Sequence, residues 1–150
     1  MAQFFLRIVA PSHRDEGVES LEREYLVKLA RRAAAEVVRV RAGGGAAAEA
    51  EAIRARTGAA GLKIALDEHG DALTSAELAR YIGQARDRSV PGMTFWVGGA
   101  DGLHATLLQE ASKRLSLGRL TLPHRLARLV LVEQLYRAMS ILHGEPYHRA

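Results

Sequence analysis

Two glycine-containing loops and a polar tail in the last third of the chain carry the residues that could do chemistry. The loops are 98–102 (Gly-Gly-Ala-Asp-Gly), after an apolar run, and 117–124 (Leu-Gly-Arg-Leu-Thr-Leu-Pro-His), before a long apolar stretch. Glycine lets a ligand approach the main chain closely, and loops at strand ends are the usual ligand sites of α/β sheets. The tail, 147–149 (Tyr-His-Arg), joins an aromatic ring, a group that titrates near neutral pH and a guanidinium. Together these segments predict a small enzyme.

Each segment also has a purely structural explanation. The first loop could be an ordinary strand-to-helix turn in which Asp101 caps the next helix, and the second loop a packed connection beneath a subunit contact. Leu66, at the end of a predicted strand, could line a pocket or belong to the core, and His124 could be a half-exposed residue at a helix end. Glu133 and Arg137 lie four residues apart, which favours a simple ion pair, and a terminal tail is disordered by default.

Alternating strand-like and helix-like segments must position these loops. Strands are predicted at 4–9, 36–41, 62–66, 93–97 and 115–117, and helices at 17–32, 46–56, 75–90, 103–111 and 123–142. This alternation predicts one α/β domain over residues 1–150, with a mostly parallel sheet flanked by helices. Segment 46–56 has high helix propensity but few apolar residues along one helix face, so it is predicted to be a weakly packed, mobile helix. Residues 67–71 (Asp-Glu-His-Gly-Asp) are predicted to form a turn that ends the third strand.

The last predicted helix, 123–142, is apolar over most of its circumference. A helix of that kind is normally buried on all sides. In so small a protein, part of its surface should contact a second copy of the chain, so a homodimer is predicted.

Composition excludes several classes of protein. The chain has no cysteine, which rules out disulfides, thiolate metal sites and cysteine nucleophiles. Its six histidines, including His13, show no metal-ligand spacing, so no metal is predicted. No apolar run approaches the roughly 20 residues that cross a bilayer, and residues 1–11 lack a basic leader. A cytoplasmic protein without a membrane partner is expected.

Positive charge is concentrated near the end of the chain. Residues 113–150 contain seven Lys or Arg against two Glu, whereas the other residues are nearly balanced. Such a basic end suits a phosphate-bearing partner such as RNA, although solvated helix and loop surface would give the same composition.

The chain resembles a known family in four motifs that occur in order. They are V-G-G-A-D-G (97–102), L-S-L-G-R-L-T-L-P-H (115–124), L-V-E-Q-L-Y-R-A (131–138) and P-Y-H-R (146–149), with L-D-E-H-G at 66–70. These residues are similar to those of SPOUT-class ribosomal RNA large-subunit methyltransferases of the H type, which methylate N3 of a pseudouridine in 23S ribosomal RNA. The likeness spans the whole chain and is densest from residue 95 onward.

The resemblance implies an α/β fold with a C-terminal trefoil knot, a homodimer, and S-adenosylmethionine held largely by backbone groups. By motif, the implied cofactor-binding residues are Leu66, Gly99, Gly118, Arg119, Leu120, Thr121, Leu122 and Pro123. The implied partner is 23S ribosomal RNA or the ribosome.

For the chemistry, His148 is the predicted base that removes the N3 proton, because histidine titrates in the required range. Arg149 or Arg137 would stabilise charge on the carbonyl oxygens, and Tyr147 and His124 would contact the substrate. Two alternatives remain: an RNA- or ribosome-binding α/β-knot protein without catalytic activity, and a general nucleotide-binding protein. The nucleotide-binding alternative would require a loop that cradles phosphates, and the sequence shows no such loop.

Overall fold

In the part of the chain that the structure describes, ten elements alternate in the order that the sequence pattern predicts. The computed structural model describes residues 3–12 and 15–149, so the expectation that His13 binds no metal falls outside the described residues. The elements are β1 (Phe5–Pro11), α1 (Glu16–Leu29), β2 (Ala34–Val40), α2 (Gly45–Ala55), β3 (Leu62–Ala72), α3 (Ser75–Asp87), β4 (Gly92–Trp96), α4 (Ala105–Glu110), β5 (Lys113–Ser116) and α5 (His124–Leu142). Apart from β3, their ends lie within a few residues of the predicted ones.

The five strands form one parallel sheet in the order β2-β1-β4-β3-β5. Helices α1, α3 and α5 supply apolar side chains to a core on one face, where they meet residues such as Leu6, Ile8 and Phe95. Helices α2 and α4 cover the other face through Ile53 and Leu107, which pack with Trp96. The prediction of a parallel sheet flanked by helices is therefore confirmed. Within the described part of the chain, no helix is both long and apolar enough to span a membrane.

The turn predicted at 67–71 is wrong, because β3 continues beyond it. Leu66 and Asp71 both pair with Leu115 of β5, so the residues between them form a bulge inside the strand. Gly70 lies against the neighbouring backbone, where a Cβ atom would be 2.6 Å from the carbonyl carbon of Arg114. The bulge is possible because β5 pairs with β3 on both sides of it.

Helix α2 is anchored to the sheet by two buried residues. Ala50 and Ile53 are 2% and 1% exposed and belong to the second core. Ala50 and Ile53, three residues apart, form an apolar contact with the sheet that the sequence did not predict, while the predicted mobility of the helix stays a prediction. Because only two apolar residues of α2 are buried, the sequence shows little helical periodicity of apolar residues there.

Helix α5 runs parallel to α1 and is fixed to it at several levels. Asp15, which caps α1, contacts Arg125 at 3.5 Å, and Arg32, just beyond α1, pairs with Glu145 of the tail. The tail after α5 is therefore attached to the fold, in contrast to the disorder that is usual at chain ends.

Candidate functional site

A cavity of about 720 Å³ opens where β4 and β5 end and β3 forms its bulge. Its wall comes from residues 66–68, 97–102, 115–118, 120–124 and 127. Seven of the eight predicted cofactor-binding residues line it, namely Leu66, Gly99, Gly118, Leu120, Thr121, Leu122 and Pro123, and His124 does so too. Arg119 is not among the lining residues, and its side chain is exposed to solvent. The structure thus brings the predicted residues together; that they bind a cofactor stays a prediction.

The loop 98–102 forms a closed turn at the cavity wall. Gly99 and Gly102 pair as a short bridge, in which the N–H of Gly102 donates to the carbonyl of Gly99 at 3.0 Å. At Gly98 a Cβ atom would lie 2.4 Å from the carbonyl carbon of Gly102, so only glycine fits. The alternative in which Asp101 caps α4 is wrong, because Nδ1 of His104 accepts the N–H of Thr106 at 3.2 Å and caps that helix.

A carboxylate from α2 supports this loop from behind. Glu49 is 8% exposed, and a Cβ atom on Gly99 would lie only 2.9 Å from its Oε1. Its Oε2 accepts the N–H of Gly43 at 3.1 Å. Glu49 therefore connects the glycine turn before α2 to the cavity wall. The sequence does not predict this role, because a glutamate in an Ala- and Glu-rich helix is expected to be exposed to solvent.

A serine fixes the second glycine loop. The hydroxyl of Ser116 donates to the carbonyl of Gly118 at 2.9 Å and accepts the N–H of Gly118 at 3.2 Å. Gly118 has φ +129°, which side-chain-bearing residues rarely adopt. This geometry directs the chain from β5 along the cavity toward Pro123, the residue before α5.

The cavity combines apolar and acidic walls. Leu66, Val97 and Leu115 lie among its lining residues, and so do three carboxylate residues: Asp67, Glu68 and Asp101. Negative charge around an apolar pocket favours a ligand that carries positive charge. Within the described residues, no group of three or more His, Cys, Asp or Glu could hold a metal ion.

A second cluster joins the tail to α5 through Glu133. Oε1 of Glu133 accepts Nε and Nη2 of Arg137 at 3.0 and 2.7 Å and the hydroxyl of Tyr147 at 2.9 Å. The guanidinium of Arg137 lies 4.8 Å from the centre of the Tyr147 ring, and Nη1 of Arg137 lies 3.1 Å from Nδ1 of His148. The structure thus brings three predicted residues (Arg137, Tyr147 and His148) into one cluster, here called the tail cluster, with Arg149 exposed beside it.

Two pKa shifts follow from these contacts. The hydrogen bonds to Glu133 raise the pKa of the Arg137 guanidinium. Burial is the main cause that raises the pKa of the Tyr147 hydroxyl, and the hydrogen bond to Glu133 raises it further. Arg137 is consequently a permanent cation, and Tyr147 is a protonated donor at neutral pH.

The cavity and the tail cluster are separate within one protomer. None of Arg137, Tyr147 and His148 lines the cavity, whose last helical residue is Ala127. Ala127 and Arg137 are ten residues apart on α5, which corresponds to about 15 Å along a helix at 1.5 Å per residue. Two exposed leucines belong to the cavity end of this arrangement: Leu120, which lines the cavity, is 85% exposed, and Leu126, next to Ala127 in the sequence, is 39% exposed.

Ion pairs neutralise much of the positive charge in residues 113–150. Four of its seven cations have acidic partners, since Lys113, Arg125, Arg128 and Arg137 pair with Asp71, Asp15, Glu22 and Glu133. The other three, Arg114, Arg119 and Arg149, are exposed and make no ion pair among the described residues, and Nε of Arg114 donates to the carbonyl of Leu108 at 3.1 Å. Arg119, next to the cavity-lining residues Gly118 and Leu120, and Arg149, beside the tail cluster, are the best placed of these to meet an anionic partner.

Comparison with known proteins gives consistent results. A family model described as "Predicted SPOUT methyltransferase" matches residues 5–148. Ribosomal RNA large subunit methyltransferase H of Koribacter versatilis (strain Ellin345) is 38% identical over 136 residues, which cover 90% of this chain and 90% of that protein. The protein of the same name from Afipia carboxidovorans is 55% identical over 87 residues, 58% of this chain and 54% of that one. The match therefore spans about half the length of the Afipia relative.

Solved structures show the same fold at low sequence identity. The SpoU methyltransferase AviRb from Streptomyces viridochromogenes, in complex with the cofactor AdoMet, has a TM-score of 0.52 and 16% identity, covering 97% of this chain and 60% of that one. A probable methylase family protein from Haemophilus influenzae Rd KW20 has a TM-score of 0.58 and 11% identity, covering 100% and 72%.

The family model and the Koribacter relative each extend over nearly the whole chain. Motif resemblance, sequence match and fold therefore agree, and the chain belongs to the SPOUT methyltransferase family, among the ribosomal RNA large subunit methyltransferase H proteins.

Proposed function

We propose that this protein transfers a methyl group from S-adenosylmethionine to N3 of a pseudouridine in 23S ribosomal RNA, as a cytoplasmic single-domain enzyme. The observation that carries the proposal is the convergence of Leu66 and the two glycine loops on one cavity. Residues far apart in the sequence thereby form the concave, mostly pre-formed site that a small ligand needs. The relatives' name, ribosomal RNA large subunit methyltransferase H, supports the RNA substrate.

The cavity suits this cofactor in size and chemistry. Its leucine and valine side chains offer apolar walls for the adenine, and the backbone groups of 98–102 and 117–123 offer donors and acceptors for the ribose and the amino acid part. Asp67, Glu68 and Asp101 provide the negative charge that a sulfonium favours. When bound, S-adenosylmethionine supplies an electrophilic methyl group. The protein's contribution is to hold the nucleophile in line with it, within about 3–3.5 Å.

The tail cluster is proposed to hold the target base. Tyr147 offers a ring for stacking, and its hydroxyl is fixed by Glu133. Arg137 and Arg149 place positive charge where negative charge develops on the carbonyl oxygens of the base. His124 lines the cavity and is proposed to contact the substrate there.

The reaction requires a homodimer, because the cavity and the tail cluster lie too far apart within one protomer to act on the same atom. We place the contact at the outer face of the first half of α5, around the exposed Leu126. A two-fold contact is isologous, so each tail cluster could reach the partner's cavity. The C-terminal trefoil knot expected of this family is part of the proposal, and the position of β5 beside β3 rather than β4 is compatible with it.

Mixed dimers test the composite site. A cavity variant, Gly98→Ala, and a tail variant, Tyr147→Ala with Arg149→Ala, should each be inactive on ribosomes. After subunit exchange, half of the dimers are mixed and each has one intact site, so about a quarter of wild-type activity should return. Mixing two different cavity variants, Gly98→Ala and Gly118→Val, is the control and should restore nothing. Absence of recovery in the first mixture would refute the composite site.

The alternative is an RNA- or ribosome-binding protein without catalysis, which would keep the tail and the dimer. Calorimetry with S-adenosylmethionine, followed by methyl incorporation into intact ribosomes and into naked 23S RNA, separates the two functions. Cofactor binding with incorporation at a pseudouridine supports the enzyme. Ribosome binding without cofactor affinity would refute it.

A further inference from the structure

The two ring nitrogens of His148 have different surroundings. Nδ1 lies 3.1 Å from Nη1 of Arg137. A guanidinium has only N–H donors and no acceptor, so Nδ1 must be the acceptor in this contact. A ring nitrogen that accepts a hydrogen bond carries no hydrogen, and the neutral ring then has its hydrogen on Nε2. Arg137 thus selects one tautomer of His148.

Arg137 is itself held in place. Its Nε and Nη2 both donate to Oε1 of Glu133, which leaves Nη1 directed at His148. A guanidinium cannot accept a hydrogen bond, so the tautomer with its hydrogen on Nδ1 would set two N–H groups against each other. Glu133 and Arg137 are therefore positioning residues for the ring of His148.

The other side of the ring is available to a ligand. Within residues 3–12 and 15–149, no hydrogen bond is made to Nε2 of His148, and the side chain is only half-buried. The available group is therefore an N–H donor, whereas the lone pair of the neutral ring is already used by Arg137. A proton on N3 of a substrate cannot be accepted by a nitrogen that carries hydrogen.

We infer that His148 acts on the target base as a hydrogen-bond donor through Nε2–H, and not as the general base that its position in the sequence suggests. This inference rests on the proposed function. The imide N3 of a pseudouridine lies between two carbonyl groups, and loss of its proton places negative charge on their oxygens. An N–H group held at one oxygen stabilises that charge, and the N3 proton passes to solvent.

Nitrogen NMR of the ¹⁵N-labelled full chain tests the tautomer without substrate or cofactor. The Nε2 of His148 should give the signal of a protonated nitrogen, and Nδ1 that of an unprotonated one. His143 is an internal control, because its Nδ1 lies 2.9 Å from the carbonyl oxygen of Met139 and must donate there. It should show the opposite pattern. Hydrogen on Nδ1 of His148 would overturn the inference.

Two substitutions test the role in turnover. His148→Ala removes the donor and should lower turnover at least about tenfold, with unchanged cofactor affinity by calorimetry. His148→Gln restores an N–H near the position of Nε2 but cannot act as a base, and it should be at least about fivefold faster than His148→Ala. Equal losses in the two variants, or no loss in His148→Ala, would overturn the donor role. A wild-type protein that binds cofactor but methylates no ribosome would instead refute the proposed function, while the NMR result stands independently.

Discussion

Glu22 of α1 and Arg128 of α5 form an ion pair, with Oε2 and Nε 2.5 Å apart and both side chains only 1% exposed. The second oxygen of Glu22 accepts Nη2 of Arg39 in β2 at 3.1 Å. Burying two charges is costly, and such a pair persists only with good geometry and further hydrogen bonds. This contact therefore couples α1, α5 and the edge of the sheet.

Glu22→Ala should destabilise the fold strongly, because it leaves the charge of Arg128 buried without its partner. Breaking a buried pair from one side typically costs about 3–5 kcal/mol. Arg125→Gln, which removes the exposed pair with Asp15 between the same helices, should cost less than about 1 kcal/mol. Urea unfolding of the two variants measures both values. Similar losses would show that burial does not distinguish the pairs.

Gly98→Ala should weaken cofactor binding at least about tenfold. The new Cβ atom would lie 2.4 Å from the carbonyl carbon of Gly102 and 2.6 Å from the nitrogen of Leu103. These are backbone atoms that cannot move without opening the loop at the cavity wall. Gly17→Ala in α1 meets only ordinary contacts at 3.6 Å and is the matched control. Calorimetry with S-adenosylmethionine should show normal affinity for the control, and normal affinity for both would contradict the role of this loop.

Ile53→Ala should cost about 2–5 kcal/mol, as truncation of a fully buried aliphatic side chain usually does. Ile53 is 1% exposed and packs with Trp96 across the second core. Val27→Ala, at a position that is 62% exposed, should change the free energy of unfolding by about 0.5 kcal/mol at most. A small loss at Ile53 would mean that α2 is weakly packed after all.

Leu126→Glu should produce monomers by placing a charge in the proposed dimer contact. Sedimentation would show the change in mass, and methyl incorporation into ribosomes should fall at least about tenfold while cofactor affinity stays normal. Gln109→Glu on α4 adds the same charge at an exposed position outside that face, and it should leave the oligomeric state unchanged. A Leu126→Glu protein that is dimeric and active would exclude this contact.

Tyr147 should contribute to a loss of stability at high pH. Burial and the bond to Glu133 raise the pKa of its hydroxyl in the folded state. A raised folded-state pKa stabilises the fold below the unfolded pKa of about 10, and that contribution is lost as the pH rises through the folded pKa. The stability advantage of wild type over Tyr147→Phe should therefore be constant below about pH 10 and shrink above it. Urea titrations across this range measure the difference, and a constant difference would contradict the shift.

Local patterns were sufficient to predict most of the elements, whereas the residues that line the cavity were implied by the resemblance of the motifs to a known family. Strand and helix periods locate the ten elements, and parallel strands place their carboxyl ends, hence loops 98–102 and 117–124, at one edge. The supporting contacts depend on three-dimensional packing instead. Nothing local distinguishes Glu22 or Glu49 from solvated charges, and the bulge after Leu66 exists only because β5 pairs on both sides of it. The tautomer of His148 likewise depends on a contact that composition does not encode.

The position of β4 in the sheet affects how the chain is made. Phe5 pairs with Gly92, so the first strand acquires its inner neighbour only after most of the chain has been synthesised. Until then, β1 can pair only with β2, and its other edge stays available to wrong partners. Pairing between such distant residues slows folding. Synthesis of this protein should therefore be sensitive to chaperones that shield the nascent N-terminal half, more than its modest size suggests.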